Sequence, residues 1–361
     1  MPAYKEKNRG TWTIRFKYKD WKGEIKSITK RGFETKREAL DWENHFKMEK
    51  AGSLDMTFED FAKRYVEEMF PRLKPSTQAN KENIIKYHLL PYFGKMKIRD
   101  IGTKEVMMWQ NEIITYKDPV TGKGFRPSYL KSIHSQLSAI LNHAVKYFDL
   151  KSNPAQKVGN MGTNKGLDLN FWTKEEYLKF AELMMDKPEA YYAFEVLYWT
   201  GIREGELLAL TLEDIDFEKK TIRINKTYQI IKGKEIIGPP KTFKSRRTIV
   251  MPDFLCDELA DYVEMLYMVK PKDRIFPRTK YFLAHNLHRF GDLAGLKRIR
   301  VHDLRHSHVS LLIDMGYSAV AIADRVGHES VEITYRYAHL FPSVQIDMAS
   351  KLDMARGDLN V

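Results

Sequence analysis

The spacing of large apolar residues changes along this chain, and the change rules out a single continuous core. From Thr11 to Lys19 the pattern alternates strictly, with Trp12, Ile14, Phe16 and Tyr18 on one face and Thr13, Arg15, Lys17 and Lys19 on the other. A period of two is that of a half-buried strand. From Thr57 onward the period is helical, as in Phe58, Phe61, Tyr65 and Met69, then Val106, Trp109 and Ile113. The clearest stripe is Leu130, Ile133, Leu137, Ile140, Ala144 and Phe148. Strand and helix stripes bury different faces, so the two regions need separate cores, and 361 residues suit two or three domains.

In the first region Asp20 to Gly23 can turn the chain into a second strand, Glu24 to Thr29, and Gly32 can turn it again towards Phe33. Thr35 and Glu38 form a capping-box pattern, Ala39, Trp42 and Phe46 follow at helical spacing, and Gly52 stops the helix. A three-stranded sheet plus one helix is expected over residues 1–53. The stripes above and the segment Thr77 to Leu89 predict four helices over residues 54–155, with breaks at Pro71, Pro75, Pro91, Gly94 and Asp118 to Pro127. Pro154, Gly159, Gly162 and Gly166 mark a linker region, assigned to residues 156–170. Residues 171–361 form the last domain, of mixed α/β character and with a C-terminal tail. The fold class is multidomain, mainly α with small β elements.

Sixty Lys and Arg against 48 Asp and Glu give a net charge of +12, which favours a polyanionic partner. The first 50 residues hold fourteen of these cations and eight of the anions, half of the excess in a seventh of the chain. The single cysteine, Cys256, excludes an intramolecular disulfide and a cysteine-built zinc site, suits a reducing cytosol, and reads as a buried apolar residue. The N-terminus has no apolar signal region and no stretch is long enough to span a bilayer. A cytoplasmic protein with no membrane partner is expected.

The C-terminal half carries the chemistry. Ala190 to Trp199 is apolar with helical spacing, Gly201 breaks it, and Arg203 to Leu210 begins a second helix on which Arg203 and Glu206 share a face. Short strands are expected at Thr221 to Ile224, Tyr228 to Ile231 and Arg246 to Val250, with turns at Lys232-Gly233-Lys234 and around Lys241. His302 to Ile313 reads as a helix with His302 and Arg305 one turn apart on one face. His302 and His306 have a spacing that could hold zinc, but no glutamate stands beside the first and no third ligand is evident, so no metal is expected. Gly327-His328 follows, and Tyr337 lies nine residues on. Arginine offers a fork of donors to phosphate oxygens, lysine and histidine move protons, and tyrosine can attack.

The run Thr200-Gly201-Ile202-Arg203-Glu204-Gly205-Glu206-Leu207, then His302-Asp303-Leu304-Arg305, then Gly327-His328 and Tyr337 resembles the catalytic domain of tyrosine recombinases, the phage and mobile-element integrases. Val326 stands where leucine is commoner in that family. The resemblance implies that Arg203 and Arg305 clamp the scissile phosphate and that Glu206 supports the site. It makes His302 the proton acceptor or positioning group for the tyrosine, and His328 a donor to a phosphate oxygen. Lys241, favoured over Lys244, would protonate the departing 5′ oxygen. Tyr337 would be the nucleophile, selected over Tyr335 by its interval from His328 and by the following Ala338-His339. Tyr335 is read as packing, and His306 and His308 as packing or solvent-facing.

The N-terminal module resembles the arm-type DNA-binding domain of integrases, and the helical unit their core-binding domain. That implies contacts to double-stranded DNA from Arg15, Lys17 and Lys19 at arm-type sites, and from Lys81, Lys86 and Lys131 at core-type sites. The implied activity is integration and excision of a mobile element by a homotetramer on DNA, through a 3′-phosphotyrosyl bond and a Holliday junction, with no cofactor. The tail, Ser343 to Val361, has helical spacing at Ile346, Met348, Ala349 and Leu352 and is expected to dock on a neighbouring protomer. Two other readings share the scaffold: a monomeric type IB topoisomerase and a catalytically silent DNA-binding regulator. The separate basic module and the tail weigh against the first, and the complete set of six reactive residues against the second. The sequence leaves open the attachment sites, the overlap length, and any need for an excision factor or a host DNA-bending protein.

Overall fold

Gly32 determines how the N-terminal sheet is built. In the computed structural model, which describes residues 3–5, 10–19, 25–51, 54–163, 170–240, 242–335, 337 and 349–354, the strand continues through this glycine. Strands β1 (Tyr4–Lys5), β2 (Trp12–Lys19) and β3 (Ile25–Phe33) form an antiparallel sheet in that order. Trp12 pairs with Phe33 but Thr13 pairs with Arg31, so Gly32, at φ +94°, is the extra residue of a bulge. The third strand is thus β1, ahead of β2, and the expected turn at Gly32 is corrected to a bulge.

Ile14 and Phe16 are buried against Ala39, Trp42 and Phe46 of helix α1 (Lys36–Ala51). Arg15 and Lys17 are exposed on the opposite side of β2, whereas Thr13 is buried and the Lys19 side chain lies outside the described residues. The helix starts as expected. Thr35 Oγ1 accepts the Glu38 N–H at 3.1 Å, and the Glu38 carboxylate accepts the Glu34 N–H at 3.0 Å.

Helices α2 (Phe58–Met69), α3 (Pro75–Ile84), α4 (Leu90–Phe93), α5 (Thr103–Thr115) and α6 (Pro127–Tyr147) follow. Their stripes meet in one core around Phe58, Phe61, Phe93, Trp109, Ile133 and Leu137. Pro91 does not end the third helical path. A π-turn over Ile85–Leu89 links α3 to α4, and this wider turn accommodates a residue that lacks an N–H and crowds the preceding carbonyl. Lys81 Nζ donates to Gln136 Oε1 at 2.5 Å and ties α3 to α6, while Lys86 is exposed and Lys131 is half-buried. Asn153 caps a further short helix, α7 (Pro154–Val158), and Gln110 Nε2 donates to Gly159 O at 2.8 Å. Residues 156–159, expected to be linker, are therefore packed into the helical unit. The chain divides into two compact units, Met1–Gly166 and Leu167–Val361.

The second unit comprises α8 (Lys174–Glu182), α9 (Pro188–Thr200), α10 (Glu204–Leu207), β4 (Ile215–Asp216), β5 (Thr221–Ile224), β6 (Thr227–Ile231), β7 (Lys234–Gly238) and β8 (Arg247–Val250). These are followed by α11 (Asp253–Met265), α12 (Lys280–Leu293), α13 (Asp303–Asp314), α14 (Ala319–Val326) and α15 (Val331–Tyr335). Strands β4, β5 and β8 pair antiparallel in that order, and β6 and β7 form a separate hairpin. Lys232 and Gly233, both at positive φ (51° and 77°), make the hairpin turn. Strand β7 escaped the sequence reading because Lys-Glu-Ile-Ile-Gly does not alternate. The core gathers Trp172, Phe180, Phe194, Leu207, Ile222, Ile249 and Leu304, with Tyr177 and Tyr198 stacked at 3.6 Å between ring centroids. Cys256 is buried there, as expected of a small apolar residue. Among the described residues, no helix is long and apolar enough to cross a membrane.

One buried acid makes this core sensitive to pH. Glu195 on α9 is 4 % exposed and accepts hydrogen bonds from Tyr177 Oη and Trp199 Nε1, both at 2.7 Å. Burial lifts its pKa to about 7 against the Tyr177 hydrogen bond, and the Glu258 carboxylate adds to the rise. Between the ordinary carboxyl value and about 7 the native state holds a proton that the unfolded chain has released, so stability falls as pH rises through this window. Glutamine mimics the neutral acid. Glu195→Gln is therefore expected to gain about 1–3 kcal/mol relative to the parent on going from pH 5 to pH 8, read from melting curves at both values.

Candidate active site

Gly201 ends α9 in the left-handed region, at φ +67°, where a Cβ would lie 2.5 Å from His308 Cδ2. The turn delivers Arg203 to the N-terminus of α10, which is a single turn shorter than the helix expected to Leu210. Glu206 reaches back to hold this arginine twice, accepting from its backbone N–H at 3.0 Å and from Nη1 at 2.8 Å. Arg203 Nη1 also donates to Ser245 Oγ at 3.3 Å and Nη2 to Gly327 O at 3.2 Å. Its side chain stays one-third exposed (33 %).

Arg247 on β8 completes this arrangement and was not singled out from the sequence. Its Nη2 donates to Glu206 Oε2 at 3.0 Å, Nε to Arg325 O at 2.9 Å and Nη1 to Ser245 O at 3.0 Å. Burial alone would raise the Glu206 pKa, but Arg247 and Arg203 hold it below the usual carboxylate range. The carboxylate thus fixes two guanidinium groups. Strand alternation carried a signal for Arg247, since it lies two residues before the buried Ile249 and so on the inward face.

Arg305 on α13 is 3 % exposed. Its Nη1 donates to Gly201 O at 2.8 Å, and its buried Nη2 has no hydrogen-bond partner among the described residues. Burial, then Arg203 and Arg247, push its pKa down to about 9, which leaves it a cation at neutral pH. A desolvated donor held beside two other guanidinium groups is costly unless an anion meets it.

Three histidines border this cationic cluster. His302, at the start of α13, remains exposed, yet its protein surroundings, followed by Arg305 and Arg203, lower its pKa to about 4. His328 follows Gly327, which ends α14 at φ +69°, and its Nδ1 bonds Thr334 Oγ1 at 2.8 Å. Burial, then Arg305 and Arg203, lower the His328 pKa to about 3. With Nδ1 occupied, Nε2 is the nitrogen left for a ligand.

The third histidine corrects a sequence expectation. His306, read as packing or solvent-facing, hydrogen-bonds through Nδ1 to the Tyr337 hydroxyl. The residue in contact with this phenol is thus His306, one helical turn beyond His302. Tyr337 itself is 2 % exposed and packs on Val309, Ile313, Ile322 and Val326. Tyr335, expected to pack, is 58 % exposed. His308, read as packing or solvent-facing, is buried, and its Nε2 accepts from Arg325 Nε at 3.2 Å. Lys241, Ile346 and Met348 lie outside the described residues; Ala349 and Leu352 lie on an exposed helical segment, 349–354.

A nearly buried tyrosine bonded to an imidazole, on the same unit as two arginines fixed by one carboxylate and a third buried arginine, is the arrangement of a tyrosine recombinase. The comparisons agree. The Phage integrase family profile matches residues 170–343, the integrase N-terminal SAM-like domain residues 57–114, and the Arm DNA-binding domain residues 2–50. The ICEBs1 integrase of Bacillus subtilis (strain 168) is 30 % identical over 341 residues, covering 88 % of this chain and 90 % of that protein. The integrase of Staphylococcus phage L54a is 29 % identical over 210 residues, covering 51 % of this chain and 59 % of that one. Among solved structures, the Tn1549 transposon integrase in complex with circular intermediate DNA superposes with TM-score 0.67 at 19 % identity, covering 83 % of this chain and 99 % of that one. The lambda integrase tetramer bound to a Holliday junction gives 0.59 at 20 % identity, covering 93 % and 94 %. The chain belongs to the phage integrase family. It is a tyrosine-type site-specific recombinase that integrates mobile elements.

Proposed function

We propose that Tyr337 attacks a DNA backbone phosphorus held between Arg203 and Arg305. The attack forms a 3′-phosphotyrosyl bond and releases a 5′-hydroxyl. The observation that carries this reading is the buried Nη2 of Arg305, a donor with no hydrogen-bond partner among the described residues and suited to an anionic oxygen. Arg203, locked by Glu206, supplies a second clamp, and His328 and His302 donate to the remaining oxygens. Together they offset charge that grows on the pentavalent phosphorus, an effect worth several kcal/mol when the donors are already in place. Lys241 protonates the departing 5′ oxygen. The phosphotyrosyl ester retains the energy of the broken bond, so a 5′-hydroxyl from another strand reseals it without ATP.

Integration and excision then follow from two such exchanges by four protomers through a Holliday junction, the assembly on which the lambda integrase tetramer was solved. Exposed Arg15 and Lys17 on the N-terminal sheet suit phosphate or base-edge contacts at arm-type sites, and Lys86 suits phosphate contacts at core-type sites. Lys131 is half-buried and Lys81 is engaged with Gln136, so Lys86 is the readiest of the three. The domains proposed are 1–53 for the arm sites, 54–155 for the core sites and 171–361 for catalysis. An exposed Leu352 gives the tail an apolar contact for a neighbouring protomer.

A nicked suicide substrate bearing a core site tests the reading. Mass spectrometry is expected to find a nucleotide on the peptide containing Tyr337. A nucleotide on the Tyr335 hydroxyl, or relaxation of a plasmid that lacks attachment sites, overturns it.

A further inference from the structure

We propose that His306 accepts the proton of the Tyr337 hydroxyl during attack, with Asp303 as the positioning residue that orients its imidazole. The proposal rests on Tyr337 being the nucleophile. His306 Nδ1 bonds the phenol oxygen, and the two rings are tilted by 55° with centroids 5.6 Å apart. The other ring nitrogen, Nε2, lies 3.8 Å from Asp303 Oδ1, too long for a hydrogen bond but close enough for electrostatic control of the proton. Asp303 is 2 % exposed and cannot swing away. Arg300 Nη2 grips its Oδ1 at 2.6 Å and the Arg300 backbone N–H grips its Oδ2 at 2.8 Å.

A fixed carboxylate on the Nε2 side favours the tautomer that carries its proton there. Nδ1 is then a lone pair directed at the phenol, which donates to it. The ring is neutral at physiological pH, because its buried surroundings, followed by His302, hold its pKa at about 4 against the pull of Asp303. Arg300 and Arg305 push in the same direction as His302. A phosphodiester anion entering beside Arg305 offsets the smaller, cationic part of that depression, so the imidazole gains basicity when substrate is bound. Tyrosine, with a pKa of about 10, otherwise has almost no phenolate to offer at neutral pH.

The bookkeeping of protons closes. The phenol O–H bond breaks and its proton moves to Nδ1 as the O–P bond forms. The P–O5′ bond breaks, and the 5′ oxygen takes its proton from Lys241. On resealing, the incoming 5′-hydroxyl returns a proton to Lys241 while the imidazolium returns one to the departing phenol.

The test compares cleavage of an ordinary suicide substrate with one carrying a 5′-bridging phosphorothiolate, using the full chain. A sulfur leaving group needs no proton, so Lys241→Ala is expected to regain cleavage on it. His306→Asn keeps a hydrogen-bonding group beside the phenol but cannot take its proton, and is expected to lose about 10²–10³-fold on both substrates. Installing 3,5-difluorotyrosine at position 337 makes the phenol more acidic and is expected to narrow the His306→Asn defect by at least about tenfold. Recovery of His306→Asn on the phosphorothiolate, or an equal defect with both phenols, overturns the assignment even if melting and DNA binding are unchanged. If the wild-type protein yields no adduct at Tyr337, the nucleophile assignment falls and takes this proposal with it; if it does and His306→Asn cleaves at the parent rate, only this proposal falls.

Discussion

A Tyr337→Phe protein is expected to bind its core sites like the parent and to form no covalent DNA adduct. The fold should tolerate the change, because the ring remains against Val309, Ile313, Ile322 and Val326 and only the hydroxyl is lost. The hydrogen bond lost to the half-buried His306 imidazole is worth about 0.5–1.5 kcal/mol. In the proposed mechanism the chemical cost is total, since the phenol oxygen becomes part of the product and no other group can replace it. Tyr335 provides the internal control. At 58 % exposure its hydroxyl is not held by the residues that surround Tyr337, so Tyr335→Phe is expected to cleave at the parent rate. The measurement is a denaturing gel of protein trapped on a nicked core site, alongside a mobility-shift titration. An adduct that persists in Tyr337→Phe, or disappears in Tyr335→Phe, reverses the assignment.

Arg203, His302, Arg305 and His328, which the structure brings to one site, were legible because each sits in a short local pattern. Gly201 before Arg203, the one-turn spacing of His302 and Arg305, and Gly327 before His328 are local facts that one strand of sequence carries. The supporting contacts were less legible because they join distant segments. Ser245 and Arg247 meet Arg203 and Glu206 across about forty residues, and in Lys244-Ser245-Arg246-Arg247 the cations look alike until β8 starts with Arg247 turned inward, leaving Arg246 exposed before it. The i,i+4 spacing of His302 and His306 points equally to a metal pair and to two residues on one helix face. What decides the role of His306 is where Tyr337 lands after α15, which helix periodicity does not specify. The sheet shows the same limit. Alternation identified β2 correctly, yet Gly32 reads equally as a turn or a bulge, and pairing with Trp12 and Thr13 makes it the latter.

Replacing Arg305 by methionine is expected to separate stability from catalysis. Methionine keeps an unbranched stem of similar reach and removes a guanidinium that is 3 % exposed, repelled by Arg203 and Arg247, and left with a donor unpaired among the described residues. Two terms oppose each other. The Gly201 carbonyl loses its 2.8 Å bond from Nη1, which costs about 1–3 kcal/mol. Against this, the effective penalty of keeping an ion desolvated is several kcal/mol, and exchange of buried ions for apolar groups is often neutral or stabilising by about 1–4 kcal/mol. The second term is larger here because the nearby carboxylate, Glu206, is already shared by two other arginines. The DNA-free protein should therefore melt a few degrees higher than the parent. Cleavage should fall by about 10²–10³-fold, the usual cost of removing one donor to a transition-state oxyanion. Arg305→Lys should fall between the two, since it restores charge without the planar fork. A melting temperature that drops together with activity would show that Arg305 holds the fold, not the phosphate.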